Sequence, residues 1–138
     1  MIDAKGRMVT PGFIDPHTHS LEELLSKDLN ANLNYRFQGV TTVFVGNDGE
    51  GQPHVAALSK QLTSNGIGTN VAMLVGHNAL RTAVMGAVDR SPTVAEMNQM
   101  KGLLKGALEQ GAFGFSSGLY YVPGVYSKTE EVLALAKV

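Results

Sequence analysis

Short apolar runs alternate with longer amphipathic stretches along the whole chain. The apolar runs are rich in β-branched and aromatic residues, and they predict strands at 12–15, 41–45, 71–75 and 112–115. Each run is nearly continuous in apolar character, which is typical of a strand buried on both faces of a parallel sheet. The alternation of such runs with amphipathic stretches is the pattern of successive β-α units.

The intervening stretches carry the start and stop signals of helices. Ser20, Thr93 and Ser127 each stand three residues before a Glu, the spacing of a capping box that satisfies free backbone N–H groups. Pro53 suits the first turn of another helix. An apolar stripe predicted to lie on the sheet consists of Met97, Met100, Leu104 and Leu108. The glycines predicted to stop helices before the next strand are Gly39, Gly66 and Gly111.

Four β-α units predict an α/β fold on a parallel sheet, either open or half of a closed barrel. A closed barrel of eight units takes about 250 residues, whereas this chain has 138. We therefore expect a partial (β/α)8 TIM-like barrel of about the first four units. A sheet of this kind has two open edges, and open edges invite pairing with another chain. The chain is accordingly expected to self-associate.

Composition narrows the functions open to such a fold. The formal net charge is -1 and the basic residues are dispersed, so neither nucleic acid nor a membrane surface is an expected partner. No run approaches the roughly 20 apolar residues that span a bilayer. The N-terminus lacks a signal-peptide apolar core, which makes the cytoplasm the default location. Because the chain has no cysteine, any metal must be held by histidine or carboxylate ligands.

His17 and His19 follow the first predicted strand with one residue between them. Side chains at positions i and i+2 point to the same face, so both imidazoles can converge on one ion. The carboxyl end of a strand is also where barrel enzymes place their catalytic groups. Neutral imidazole is the commonest metal ligand. The pair therefore predicts a metal site, in preference to two polar surface residues.

Asp48 comes just after the second predicted strand, on the same side of the sheet as the histidines. Its carboxylate could complete a metal site or bridge two ions. Residues 47–49 (NDG) are also ideal for a simple turn. The residues by themselves leave these two interpretations open.

Several segments together resemble a known family. Residues 11–19 (PGFIDPHTH), followed by 39–43 (GVTTV), are similar to the amidohydrolase superfamily. More specific segments are 75–81 (VGHNALR), 111–124 (GAFGFSSGLYYVPG) and 126–131 (YSKTEE). They resemble the N-acyl-D-amino-acid deacylase (D-aminoacylase) branch, and the resemblance covers nearly the whole chain.

The resemblance implies a zinc-dependent hydrolase of N-acyl-D-amino acids, or of related dipeptides with D residues, that uses one or two zinc ions. Residues 1–10 would be the remnant of a small β-sandwich, and 11–138 the N-terminal half of the barrel. His17 and His19 match the family's first metal ligands. Asp48 falls where many members have a metal-bridging cysteine, and this match favours its role as a ligand.

The resemblance also suggests roles for residues near the later strands. Tyr121 matches a tyrosine near the metal-bound substrate, although a packing role is an equal alternative, and Tyr120 would line the side-chain pocket. His77 is expected to support a ligand or cap a helix rather than bind metal. Arg81 is expected to anchor loops, and His54 to face solvent.

Much of the family's site is implied to lie elsewhere. Two further histidine ligands come from the fifth and sixth strands, and the aspartate that moves the proton follows the eighth. No catalytic residue is therefore predicted in this chain, and we expect it to be an inactive fragment by itself. Two alternatives stay open: another amidohydrolase, such as a cyclic-amide hydrolase or deaminase, and a non-catalytic α/β binding module.

Overall fold

The computed structural model describes residues 3–138 and shows an α/β fold in that part of the chain. Its four strands are β1 Phe13–Asp15, β2 Val40–Val45, β3 Asn70–Gly76 and β4 Gly114–Ser116. They form one parallel sheet in the order β1-β2-β3-β4. The prediction of four successive parallel strands is confirmed. The bounds shift most at β4, which begins at Gly114 rather than at residue 112.

Helices connect the strands in the predicted alternation. In chain order they are α1 Leu21–Leu25, α2 Leu33–Arg36, α3 Val55–Asn65, α4 His77–Met85, α5 Val94–Glu109 and α6 Thr129–Ala136. A 3₁₀ helix, Gly124–Tyr126, precedes α6. The order β-α-β explains why all four carboxyl ends of the strands meet at one edge of the sheet.

The helices cover one face of the sheet and form the core there. Val43 and Val45 of β2 pack with Leu24 and Leu62, which belong to α1 and α3. A second cluster joins β3 to the later helices through Val55, Val75, Leu80, Met100, Leu104, Ala107 and Leu135. Each fully buried aliphatic side chain of this kind contributes about 1.5–3 kcal/mol. The predicted stripe of α5 is confirmed, with Met97 and Leu108 packed at its edges.

The other face of the sheet is largely open. Ile14, which pairs with Thr42, exposes 63% of its surface. Phe44 points away from its buried neighbours Val43 and Val45, and its ring meets that of Phe113 at 4.8 Å. The prediction that the strands are buried on both faces is therefore wrong, because the helices pack on one side alone. The expected self-association is untested and stays a prediction.

Helix ends agree with the sequence patterns in some places. At α5 the capping box of Thr93 and Glu96 has both of its hydrogen bonds. Gly66 ends α3 in the left-handed region, with φ of 74°. Gly39 and Gly111 also have positive φ values, of 81° and 102°. Stops at these glycines are therefore confirmed as chain reversals that a Cβ would strain.

Three other helix signals are wrong in detail. Ser20 directs its hydroxyl to the Thr18 hydroxyl, 3.1 Å away, rather than to the start of α1. Ser127 donates to the Gly124 carbonyl at 2.6 Å, and α6 begins only at Thr129 after Lys128. Pro53 lies before α3, whose N-cap residue is His54. For the two serines, other local partners compete with the helix N-terminus for the same hydroxyl, and in these loops those partners take the hydrogen bond.

The predicted β-sandwich remnant at 1–10 includes Met1 and Ile2, which lie outside the described residues; the rest of it has a turn at Lys5 and Gly6. The remnant stays a prediction. Among the helices of the described part, none has both the length and the apolar character needed to cross a bilayer.

Candidate metal centre

Three side chains with metal-binding groups converge at the carboxyl edge of the sheet. His17 and His19 follow β1, and Asp48 follows the neighbouring strand β2. Asp48 Oδ2 lies 3.4 Å from His17 Nε2 and 3.2 Å from His19 Nε2. One ligand atom from each residue lies within 4.8 Å of the other two. The structure thus brings together the three residues that the sequence predicts as ligands.

The residue between the two histidines explains why both imidazoles point the same way. Thr18 is buried, and its backbone N–H and hydroxyl both donate to the Phe44 carbonyl, at 3.2 and 2.6 Å. The Asp15 carboxylate accepts the His17 N–H at 3.1 Å. With Thr18 fixed against β2, His17 and His19 are left on the outer side of the turn. Their side chains expose 58% and 60% of their surface.

Asn47 ties the Asp48 segment to the histidine segment. Its buried side-chain amide donates to the Thr18 carbonyl and to the Phe44 carbonyl, both at 3.2 Å. Asp48 itself has a positive φ of 56° and is 30% exposed. The turn interpretation and the ligand interpretation of residues 47–49 are therefore compatible, because the turn delivers the carboxylate to the histidines. Asn47 was overlooked as a contributor, since its importance depends on contacts 29 positions away.

Ser116 holds the same segment from the far side. Its hydroxyl donates to the Gly46 carbonyl at 2.5 Å and accepts the Gly49 N–H at 3.1 Å. One hydroxyl from β4 thus joins two backbone groups on either side of Asp48. The sequence motif at 111–124 marked this serine as part of a resemblance but did not indicate this contact.

The donor set fits zinc. Two imidazole nitrogens and a carboxylate oxygen are ligands that zinc accepts. The two Nε2–Oδ2 separations, 3.4 and 3.2 Å, are those of neighbouring ligands on a tetrahedral ion with bonds of about 2.1 Å. The segments that follow β1 and β2 therefore provide three preformed ligands of a metal coordination shell, His17, His19 and Asp48.

The predicted substrate residues follow β4, and one of them borders a cleft that shares Glu50 with the cleft beside His19. Tyr120 is 88% exposed and Tyr121 is 50% exposed, with their rings edge to face at 5.6 Å. Tyr121 lines a cleft of about 490 Å³ together with Glu50 and Asn78. Glu50 also borders a smaller cleft beside His19. The substrate role of both tyrosines stays a prediction.

His54, His77 and Arg81 lie outside the cluster of metal-binding side chains. His54 is exposed at the start of α3, as expected. His77 is buried and its Nε2 lies 2.8 Å from Glu131 Oε1 of α6, so the expected alternative of a helix cap is wrong and the alternative of supporting a ligand stays a prediction. Arg81 donates to Glu131 and to the carbonyls of Val88 and Arg90, which confirms that it anchors a loop.

Comparison with known proteins gives the class to which this fold and candidate metal centre belong. A model of the amidohydrolase family matches residues 1–137. The chain belongs to the amidohydrolase family.

Two curated relatives show which branch of the family this chain is similar to. The N-acyl-D-aspartate deacylase of Alcaligenes xylosoxydans xylosoxydans is 36% identical, over 96% of this chain and 31% of the relative. The D-aminoacylase of the same organism is 33% identical, over 99% of this chain and 32% of the relative. Both are deacylases of the branch that the motifs resemble. The chain spans about a third of the length of these curated relatives.

A solved structure confirms the fold class. The crystal structure of the N-acyl-D-glutamate deacylase from Bordetella bronchiseptica, complexed with zinc and a phosphonate inhibitor, superposes with a TM-score of 0.81. It is 36% identical, and the match covers 92% of this chain and 31% of that chain. The four β-α units are thus a partial barrel of the amidohydrolase type.

Proposed function

We propose that this chain carries the first ligands of a zinc site that serves to hydrolyse the amide bond of N-acyl-D-amino acids. The observation that supports the proposal is the convergence of His17, His19 and Asp48 at the ends of two adjacent strands. The names of the relatives, which are deacylases of N-acyl-D-aspartate and N-acyl-D-glutamate, support the substrate class.

Each residue of the site has a chemical task in this proposal. When bound, zinc lowers the pKa of a coordinated water and polarises a carbonyl group. His17 and His19 would offer Nε2, and Asp48 would offer a carboxylate oxygen whose negative charge offsets that of the cation. Because both imidazoles are more than half exposed, a small substrate can reach them from the open side.

Tyr121 is the side chain that we assign to the substrate. Its phenol group borders the cleft shared with Glu50, and a hydroxyl donor there can hold an acyl oxygen while the amide is positioned. Tyr120, the more exposed of the two, would contact the amino-acid side chain. Neither tyrosine acts as a general acid or base in this proposal.

Zinc binding by the purified chain tests the metal site. We expect the wild-type chain to bind zinc in calorimetric titration, and His17→Ala or Asp48→Ala to weaken binding at least tenfold, about 1.4 kcal/mol. His54→Ala is the matched control, since it removes an exposed histidine away from the cluster. Equal zinc affinity in His17→Ala and His54→Ala would overturn the assignment. Failure of the wild type to bind zinc would favour a non-catalytic binding module.

Enantiomer preference tests the substrate class. Binding of N-acetyl-D-glutamate and its L enantiomer to the zinc-loaded chain is followed by saturation-transfer NMR, and release of acetate is measured in parallel. We expect the D form to bind more tightly, without turnover, because further ligands and the proton-moving carboxylate are not expected in this chain. Equal binding of the two enantiomers contradicts the substrate class and leaves the metal site standing.

A further inference from the structure

The loop that carries Asp48, residues 46–51, has three residues in the left-handed region of backbone conformation. Asp48 lies in the left-handed region with φ of 56°, and Gly46 and Gly49 have φ of 85° and 83°. A non-glycine residue in that region costs of the order of 1 kcal/mol and persists where surrounding contacts determine it. The structure must therefore hold Asp48 from outside the loop. We call residues 46–51 the Asp48 loop.

Asn78, the second residue of α4, lies against this loop. Its side-chain amide donates to the Asp48 carbonyl at 3.4 Å and to the Gly118 carbonyl at 3.3 Å. Gly118 begins the segment 118–123 that carries Tyr121, and its carbonyl also accepts the Tyr121 N–H at 3.2 Å. Asn78 is 7% exposed. One buried carboxamide thus bridges the backbone of the Asp48 loop and the backbone of the segment with Tyr121.

Three glycines make room for this bridge. A Cβ at Gly118 would overlap the Asp48 carbonyl, and a Cβ at Gly124 would overlap Asn78 Oδ1. A Cβ at Gly49 would lie 3.0 Å from the Asn78 amide group. A side chain at Gly49 or Gly124 would therefore press on Asn78, and a side chain at Gly118 would press on the Asp48 loop.

The start of α4 supports the same loop through its backbone. The Ala79 N–H donates to the Gly49 carbonyl at 3.1 Å, and the Gly76 N–H donates to the Gly51 carbonyl at 2.7 Å. Asn78 lies between these two bonds in the sequence. The start of α4 and the side chain of its second residue therefore hydrogen-bond to three carbonyl groups of the Asp48 loop, those of Asp48, Gly49 and Gly51.

We propose that Asn78 is a positioning residue, which fixes Asp48 for metal binding and couples the Asp48 loop to the segment that carries Tyr121. The proposal rests on the proposed function in taking Asp48 as a ligand. Asparagine suits the task because its NH₂ group offers two donors to two carbonyl groups. An aspartate at this position has nearly the same shape but would place acceptors against both carbonyls.

The test compares Asn78→Ala, Asn78→Asp and Asn70→Ala. Asn70 is the matched control because its side-chain amide also donates to a backbone carbonyl, that of Thr41 at 3.1 Å, but at the opposite end of β3. We expect both Asn78 variants to weaken zinc binding about tenfold, and Asn70→Ala to leave it unchanged. The visible spectrum of the Co²⁺-loaded Asn78 variants should move toward that of Asp48→Ala. In the Asp48→Ala background, Asn78→Ala should have no further effect on affinity.

A second measurement separates this inference from the proposed function. Amide hydrogen exchange at Gly49 and Ala79 in the metal-free chain should accelerate in the Asn78 variants and not in Asn70→Ala. If the wild type binds no zinc but this acceleration is seen, the proposed function and the metal-positioning role fail, while the coupling of the Asp48 loop to α4 stands. If zinc binds and a folded Asn78→Ala keeps wild-type affinity, spectrum and exchange, the inference is overturned. A wild-type-like Asn78→Asp also overturns it, since shape alone would then suffice.

Discussion

Two arginine–glutamate pairs lie next to each other and differ in almost everything except their bond length. Arg81 of α4 pairs with Glu131 of α6, and Arg90 pairs with Glu96 of α5; the shortest nitrogen–oxygen distance in each pair is 2.6 Å. The side chains of the first pair are 0% and 3% exposed, whereas those of the second are 48% and 19% exposed. A hydrogen bond links the two pairs, because Arg81 donates to the Arg90 carbonyl at 3.0 Å.

The buried pair connects parts of the chain that are 50 positions apart. One nitrogen of Arg81, Nη1, donates to both carboxylate oxygens of Glu131, at 2.7 and 2.6 Å, and Glu131 Oε1 lies 2.8 Å from His77 Nε2. Water cannot replace a lost partner at this depth, so a single remaining charge is strongly unfavourable. The pair thus makes the docking of α6 on α4 depend on all of its members.

The exposed pair is local and belongs to the start of α5. Glu96 accepts the Thr93 N–H at 2.7 Å and the Thr93 hydroxyl at 2.9 Å, besides the Arg90 guanidinium. The bond from Arg90, followed by the bonds from Thr93, holds the pKa of the Glu96 carboxyl well below its usual range. Solvent surrounds Arg90, so removing either member leaves a charge that water can hydrate. Bond length alone therefore says little about what a pair contributes.

Removal of Glu131 should have the largest effect of the changes considered. We expect Glu131→Ala to lower the free energy of unfolding by about 3–5 kcal/mol, because it leaves Arg81 buried without its carboxylate. Urea unfolding followed by circular dichroism measures the change. Glu130→Ala is the matched control, since Glu130 is the exposed neighbour in the same turn of α6. Similar stabilities of the two variants would contradict the comparison.

Replacement of the whole buried group sharpens the same comparison. In a chain with His77→Leu, Arg81→Met and Glu131→Leu together, no uncompensated charge remains, and the loss should be less than half of that in Glu131→Ala. The carbonyls of Val88 and Arg90, which lose the Arg81 donor, belong to exposed residues that water can reach. A triple variant that is less stable than Glu131→Ala would show that these polar contacts are themselves strongly favourable.

The same contrast between local and distant contacts explains how much could be predicted from the sequence. The capping box at Thr93 spans three residues, and its hydrogen bonds follow from that spacing. The strand positions and the convergence of His17, His19 and Asp48 also followed, because β-α alternation places successive strand ends at one edge. The capping box needed only a local pattern, and the strand ends needed a local pattern together with the rule that parallel strands end at the same edge of the sheet.

Contacts between distant residues could not be predicted in that way. Glu131 lies within a motif that resembled the family, yet its partners His77 and Arg81 are set by how α6 packs on α4. Asn78 likewise reaches Asp48 and Gly118 because Gly49 and Gly124 leave room for its side chain and Gly118 lets the two backbone segments approach. Ser20 and Ser127 had the local capping spacing but found other partners in their loops. Side-chain partners in loops depend on packing that sequence spacing does not encode.

Loss of the cap at α5 should have an intermediate effect. Thr93→Ala removes the side-chain oxygen that accepts the Glu96 N–H at 3.2 Å, and we expect unfolding to become easier by about 1 kcal/mol. Thr129→Ala is the matched control, because Thr129 is an exposed threonine at the first position of α6. Urea unfolding distinguishes the two. Equal effects would mean that the Thr93 cap contributes no more than an exposed helical threonine.

Removal of the Glu96 charge should have the smallest effect on the free energy of unfolding, and a change of pH separates this charge from the other contributions. Glu96→Gln keeps a side chain suited to the capping box but removes the charge that Arg90 and Thr93 bind. Because the pKa of Glu96 is lowered in the folded chain, its contribution is present above the ordinary glutamate pKa and is lost as the pH falls below that value. The wild type should therefore be slightly more stable than Glu96→Gln at pH 7, and the difference should disappear as the pH falls toward the lowered pKa. Added salt should also shrink it at pH 7, since the pair is exposed. A difference that survives both acid and salt would indicate that Glu96 acts through the shape of its contacts, and the contrast with the buried pair would then rest on burial of Arg81 alone.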